Sequence, residues 1–363
     1  MWRKIRSNFI LNCIFSMLYK RKKLNIIKYN KKIQSITSIK KQDFEEYKLL
    51  KVFRQELGVN IYDVDIDKMD LRKKIANNES LDWLIKIKFK GIKELNLSDN
   101  KITDFSVLEK VEFKYLKDLN LNLDGITDIN ILKKIKFTLL NKLYLYHNQI
   151  IDISPLTEVN FKELKVLDLY QNKIANINIL EKVDFPKLEI LNLGHNNITD
   201  ISILNKVNFP ELKNLDLGMN SISSIDILKS VQFPNLSILN LRCNQINDIT
   251  MLDGVNFTEL KELYLYDNQI NDIDILEHVN FEKLEILNFD WNKIAKIDVF
   301  EKVNFKGLKK LNLIENLIQD IQVFLKTQFG KLESLNIYGN LINKETDSTL
   351  INNLKEKIKF FFY

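Results

Sequence analysis

The sequence predicts an α/β solenoid, one short strand-and-turn unit stacked on itself eleven times. Three observations predict it. A 24-residue unit starts at Ile92, Leu116, Leu140, Leu164, Leu188, Leu212, Leu236, Leu260, Leu284, Leu308 and Leu332, with no slip of even one residue. Within it, Leu at position 4 and Leu (or Phe289 or Ile337) at position 6 alternate with polar residues, the period-two pattern of a strand with one buried face. A lone unit of this size cannot bury its own apolar set, so stacked units must share a continuous core.

The other positions of the unit each suggest a role. Position 9 is Asn in ten copies and Asp124 in the second. An amide offers both donors and an acceptor, so it can serve backbone groups of its own and a neighbouring unit where the chain leaves the strand. Position 11 is Ile throughout. Asp at position 13, as in Asp104, Asp200 and Asp272, precedes I-x-x-L and suits the start of a short 3₁₀ or α turn. Position 22 is Phe from Phe113 to Phe329. This column is expected to form a buried spine, each ring contributing about 1.5–3 kcal/mol.

The spacing L-x-x-L-x-L-x-x-N-x-I resembles the leucine-rich repeat, over residues 92–342. The x-D-I-x-x-L half is similar to the internalin and phosphatase-regulatory-subunit classes. Those run two residues shorter, so the V-x-F ending is a departure. The resemblance implies a leucine-rich-repeat solenoid with a concave parallel β-sheet, short 3₁₀ or helical convex segments, and capped ends.

Residues 1–42 form a basic leader or arm, with twelve Lys plus Arg and no acid. Its apolar run, Phe9 to Tyr19, is too short to span a bilayer as a helix, and no A-x-A-like site follows. A loosely ordered arm, a mitochondrial presequence and a membrane-surface contact by residues 1–42 all fit this composition. Residues 43–91 are expected to be an N-terminal cap ending in a half repeat. A helix from Asp43 (its N-cap) to Leu57 has Leu49, Leu50, Phe53 and Leu57 on one face, and Gly58 closes it. Residues 60–67 alternate like a strand. Asp63, Asp65 and Asp67 start like a calcium loop, but Lys68 and Lys74 stand at its sixth and twelfth positions, so a solvated face is expected. Leu81, Leu84, Ile87 and Phe89 match positions 14, 17, 20 and 22. Residues 343–363 are the second cap, with a helix from Ser348 to Lys357 carrying Leu350, Leu354 and Ile358, and Phe360 to Tyr363 covering the last coil.

At 45% hydrophobic and 28% charged, the 363 residues have ample material for a core. Two distant cysteines, Cys13 and Cys243, imply no disulfide framework and favour a reducing compartment, so a cytoplasmic location is expected, with mitochondrial and secreted locations as alternatives. The net charge of +6 conceals an asymmetry. The leader is strongly basic, and the rest of the chain is acidic.

No catalytic motif is present: no P-loop, G-x-G-x-x-G, G-x-S-x-G or H-E-x-x-H. His147 and His195 share position 8 but stand two repeats apart, roughly 10 Å by strand spacing, too far to ligate one zinc simply. No cofactor or metal is expected, and no enzyme activity. Positions 3, 5, 7 and 8 face outward from the strands and carry nine acids against Lys142, Arg242 and Lys310. Phosphate binding needs the opposite sign, so nucleic acid is disfavoured there. Aromatics cluster at Tyr144, Tyr146 and Tyr170, and again at Tyr264, Tyr266 and Trp291, with Gly194 and Gly218 leaving position 7 bare between them. With Asp267 and Asp290, these aromatics are the candidate partner-binding residues. The sequence therefore reads as a non-enzymatic protein–protein interaction scaffold for a partner with a basic surface. The alternatives are a secreted or surface-bound receptor or adhesin for a ligand or carbohydrate, and a regulatory subunit of a phosphatase or ubiquitin ligase.

Overall fold

The computed structural model describes residues 41–363 apart from Thr103 and Gln328. The leader lies outside the described residues, except for its last two, which open helix α1 (Lys41–Leu57). Asp43 is thus inside α1 and is not its N-cap. Gly58 does end the helix, with φ +59°. Leu50, Phe53 and Leu57 are buried, whereas Leu49 is 37% exposed and belongs to the outer face.

Thirteen strands among the described residues form one parallel sheet in sequence order. The eleven repeats supply β2 (Glu94–Asn96), β3 (Asp118–Asn120), β4 (Lys142–Tyr144), β5 (Val166–Asp168), β6 (Ile190–Asn192), β7 (Asn214–Asp216), β8 (Ile238–Asn240), β9 (Glu262–Tyr264), β10 (Ile286–Asn288), β11 (Lys310–Asn312) and β12 (Ser334–Asn336). Each position-4 Leu stands beside the next, as Leu95 beside Leu119, so the 24-residue period becomes an in-register ladder. From Leu116 to Leu313, Leu at positions 1 and 4 and Leu or Phe289 at position 6 are at most 1% exposed. The Phe spine is buried along its length, from Phe113 to Phe329.

The position-9 amides act as the residue chemistry predicts. Asn172 donates from Nδ2 to the Leu145 and Leu169 carbonyls at 2.9 and 3.0 Å, and its Oδ1 accepts the Ile150 N–H at 3.0 Å. The same ladder repeats coil after coil, for example at Asn268 and Asn292. The position-13 carboxylates each accept the N–H two residues on, as Asp200 does from Ser202 at 2.7 Å, and so open the convex 3₁₀ turns. That bond holds the Asp104, Asp128, Asp200 and Asp248 carboxyls below the ordinary range.

Two elements depart from expectation. The strand expected at residues 60–67 lies instead at β1 (Lys68–Asp70), where Met69 and Leu71 take positions 4 and 6 beside Leu95 and Leu97. Asn100 accepts the Lys74 and Ile75 N–H groups and donates to the Leu71 carbonyl, extending the ladder backward. Residues 66–91 therefore make a full coil rather than a half repeat. At the other end α2 (Ser348–Lys357) buries Ile351 and Leu354, and Phe360–Phe362 forms β13, paired parallel with β12. The tail thus covers the last coil by hydrogen bonding as well as by apolar contact.

Position 8 holds a left-handed backbone in every repeat. Its φ runs from 50° at Cys243 to 62° at Leu123 for non-glycine residues, and only Gly339 is a natural fit. The sheet over-determines this conformation: the position-8 N–H donates to the next coil's position-7 carbonyl, as His147 does to Tyr170 at 2.9 Å, and position 9 is clamped by its amide.

Candidate functional site: the concave face

Three rows of side chains run across the strands. Position 3 carries an aliphatic stretch, Val166, Ile190, Ile238 and Ile286, of which Ile190 is 37% exposed. The sequence reading passed over this row although its spacing is plain. Position 5 is mostly Asn and Asp, whose Oδ1 atoms accept the position-7 N–H and pin each strand's exit, as Asn192 does for Gly194 and Asp216 for Gly218. Position 7 carries Tyr146, Tyr170 and Tyr266, while Tyr144 and Tyr264 stand at position 5 and Trp291 at position 8.

The two tyrosine clusters are not separated by bare backbone. Tyr146 and Tyr170 have ring centroids 5.6 Å apart. Tyr170 lies across Gly194, where a Cβ would come within 2.8 Å of its ring. Its hydroxyl donates to Met219 Sδ at 3.2 Å. From the other side Arg242 leans over Gly218, where a Cβ would sit 2.7 Å from its Cγ, and Nη2 reaches Met219 Sδ at 3.9 Å. The Arg242 guanidinium then stands 5.9 Å from the Tyr266 ring. Position 7 is therefore a continuous band from Tyr146 to Tyr266, filled in by the neighbours of the glycines. Met219 is a member of the surface that the sequence did not point to, and Arg242, read there only as one of three outward cations, helps to close the band.

Other candidates lie elsewhere. Tyr144 borders a concave hollow of about 320 Å³ over the first strands, with Asp118 and Asp70. Tyr264 donates to Glu262 at 2.7 Å, and burial together with that bond pushes its hydroxyl up to about 12. Asp267 and Trp291 are exposed, Trp291 by 58%. Asp290 is only 8% exposed, and its Oδ1 accepts the Ile314 N–H at 2.6 Å. It serves the next coil's backbone and offers little surface.

The charge is also distributed unevenly. The added coil brings Lys68 and Lys73, which pair with Glu94 and Asp99 at 2.7 and 3.0 Å, while Lys142 pairs with Asp118 at 2.9 Å. The acids of the first repeats are thus neutralised. Further along, Asp168 and Asp216 have no salt bridge among the described residues, and burial raises both carboxyls, with mutual repulsion adding at Asp168. Burial, then a bond to Asp267, pushes the Cys243 thiol up to about 11, so it is a poor thiolate at neutral pH. His147 and His195 pack against Tyr146 and Tyr170, with ring centroids 5.7 Å apart in each pair. No group of side chains among the described residues is arranged to hold a metal ion.

The leucine-rich repeat model matches residues 138–198, and a model of two leucine-rich repeats matches residues 186–230, 210–254 and 258–302. The chain is a leucine-rich repeat protein of the internalin type. Among solved structures, this leucine-rich repeat protein is similar to an internalin, InlF, of Listeria monocytogenes. The identity is 26% over 82% of this chain and 90% of that one, with a TM-score of 0.61. The functional domain of InlJ from Listeria monocytogenes matches at 18% identity, 78% and 67% coverage, and a TM-score of 0.50. The leucine-rich repeat part of FLRT2, solved in an octameric complex with latrophilin 3 and Unc5D, matches at 20% identity, 73% and 79% coverage, and a TM-score of 0.55. No curated protein matches the chain. Leucine-rich repeat proteins generally mediate protein–protein interaction and are typically non-enzymatic.

Proposed function

We propose that the chain is a non-enzymatic scaffold that receives a partner protein on its concave face, over the third to ninth repeats. The observation that carries this reading is the continuous band Tyr146–Tyr170–Met219–Arg242–Tyr266, set beside an aliphatic row and the half-buried carboxylates of Asp168 and Asp216, which make no salt bridge among the described residues. Aromatic residues supply large contact area at low entropic cost. Half-desolvated carboxylates gain most from an incoming cation, so the partner presents lysine or arginine there. The position-8 thiol and tyrosine hydroxyls are shifted away from reactivity, which suits recognition rather than chemistry. We place the scaffold in the cytoplasm on the strength of its two distant cysteines; the mass of the mature protein, with the leader present, checks this. The binding test is capture from lysate by the full chain and by a Tyr146→Ala, Tyr170→Ala, Tyr266→Ala variant. A partner held by the first and lost by the second is the expected result. A partner retained equally by both would place the interface elsewhere.

A further inference from the structure

Away from the strands, the flank of the coils is paved with ion pairs between successive coils. Lys162 pairs with Asp184, Lys187 with Glu163 at 2.6 Å, and Lys302 with Glu277 at 2.9 Å. The paving is thinner at the N-terminal end, where Lys134 pairs with Glu109 at 3.7 Å and Lys133 with Glu158 at 2.9 Å. Lys88, Lys90, Lys110, Lys114 and Lys136 are exposed and make no ion pair among the described residues. The first four rim a groove of about 420 Å³ over the Phe89–Phe113 step of the spine, in which Glu112 is the one lining acid. Tyr115, 55% exposed, stands at its edge, and Leu139, 39% exposed, holds the same position one coil on.

We propose that this basic, tyrosine-edged flank seats the protein on an anionic lipid bilayer. Three observations choose that occupant. Unpaired lysines interleaved with an exposed Tyr and Leu match an interface that is anionic outside and apolar just beneath. The leader joins the same end: α1 packs Phe53 on Trp83 and Phe89, at ring distances of 6.1 and 5.9 Å, and the residues before it carry eleven cations, no acid and the apolar run Phe9 to Tyr19. The uncompensated charge of the concave face has the opposite sign, so an anionic surface attracts this flank and repels that face. Bound in this way, the protein keeps its concave surface open to a partner.

The test uses the full chain with phosphatidylcholine vesicles, with and without about 30% phosphatidylserine, in a sedimentation assay. One variant reverses Lys88→Glu, Lys90→Glu and Lys114→Glu. A charge-matched control reverses Lys283→Glu, Lys306→Glu and Lys331→Glu at the far end. Each lysine near an anionic surface adds about fivefold to binding. Binding to phosphatidylserine vesicles alone is expected, falling more than about tenfold in the first variant and less than about threefold in the control. Tyr115→Ser should lose about threefold, and should lose it at high salt too, since insertion is not screened. Four outcomes would overturn the proposal: no vesicle binding; wild-type binding by the first variant, which would leave the leader acting alone; equal loss in both triple variants, which would show only bulk charge; and RNA binding through these lysines in place of vesicle binding.

Discussion

Replacing Asp124 by asparagine should strengthen the solenoid, and more at high pH than at low. In a regular coil the position-6 carbonyl accepts from two amides: Leu145 O takes Nδ2 of Asn148 at 3.0 Å and of Asn172 at 2.9 Å. At the second repeat, Leu97 O keeps only Asn100 and Leu121 O keeps only Asn148. Asp124 Oδ1 accepts the Asn100 N–H at 2.7 Å, as Asn148 Oδ1 accepts that of Asp124 at 3.1 Å. Its Oδ2 is buried without a donor, and the residue is 2% exposed. Burial accordingly pushes the carboxyl up to about 6 from 3.8. A folded-state value above the unfolded one means the associated stability is complete below about pH 4, falls as pH rises through about 6, and is gone above it. Two units correspond to about 3 kcal/mol as an upper bound, and one restored hydrogen bond to about 1 kcal/mol. We therefore expect Asp124→Asn to gain about 1–3 kcal/mol at pH 8 and close to nothing at pH 4. Gly125 leaves this intact: the preceding turn keeps its left-handed residue, Leu123 at φ 62°. Urea midpoints of both proteins at the two pH values supply the assay, and subtraction removes every other titrating group. An unchanged or lower midpoint at pH 8, or an equal gain at both pH values, would refute the reasoning.

Other predictions separate surface from core. Tyr264→Ala with Trp291→Ala should cost a captured partner at least about 2 kcal/mol of affinity with little change in melting temperature, whereas Phe257→Ala, at 2% exposure in the spine, should cost about 3–5 kcal/mol of stability and leave the surface alone. Gly194→Ala should displace the Tyr170 ring, read as loss of the Tyr170–Met219 contact by NMR and as several-fold weaker partner binding, with the fold retained. Leu123→Gly should not destabilise the protein and should gain up to about 1 kcal/mol, because a left-handed leucine is strained; a fall in its urea midpoint would show that the leucine side chain matters more than the backbone.

The period made most of the fold legible, because one unbroken 24-residue spacing fixes strand register, turn and spine together. The coil at residues 66–91 escaped because it has Lys74 where the others have Asn or, once, Asp124, and 26 residues separate Lys68 from its partner Glu94. Strand β13 carried no alternation to read. On the concave face, the residue types at each position were legible, but their reach was not. Gly194 and Gly218 look like gaps in a string of letters, yet their missing Cβ atoms are what let Tyr170 and Arg242 lie down and close the band. Asp290 looked like a surface acid, but the Ile314 amide draws it inward.

The most direct test of the concave interface is site-specific photo-crosslinking in the full chain. A benzophenone amino acid at Asp267, exposed on the concave face, is compared with the same group at Lys306, exposed on the opposite flank. The account predicts a covalent adduct with the partner protein from position 267 and none from position 306. An adduct from 306 without one from 267 would contradict it.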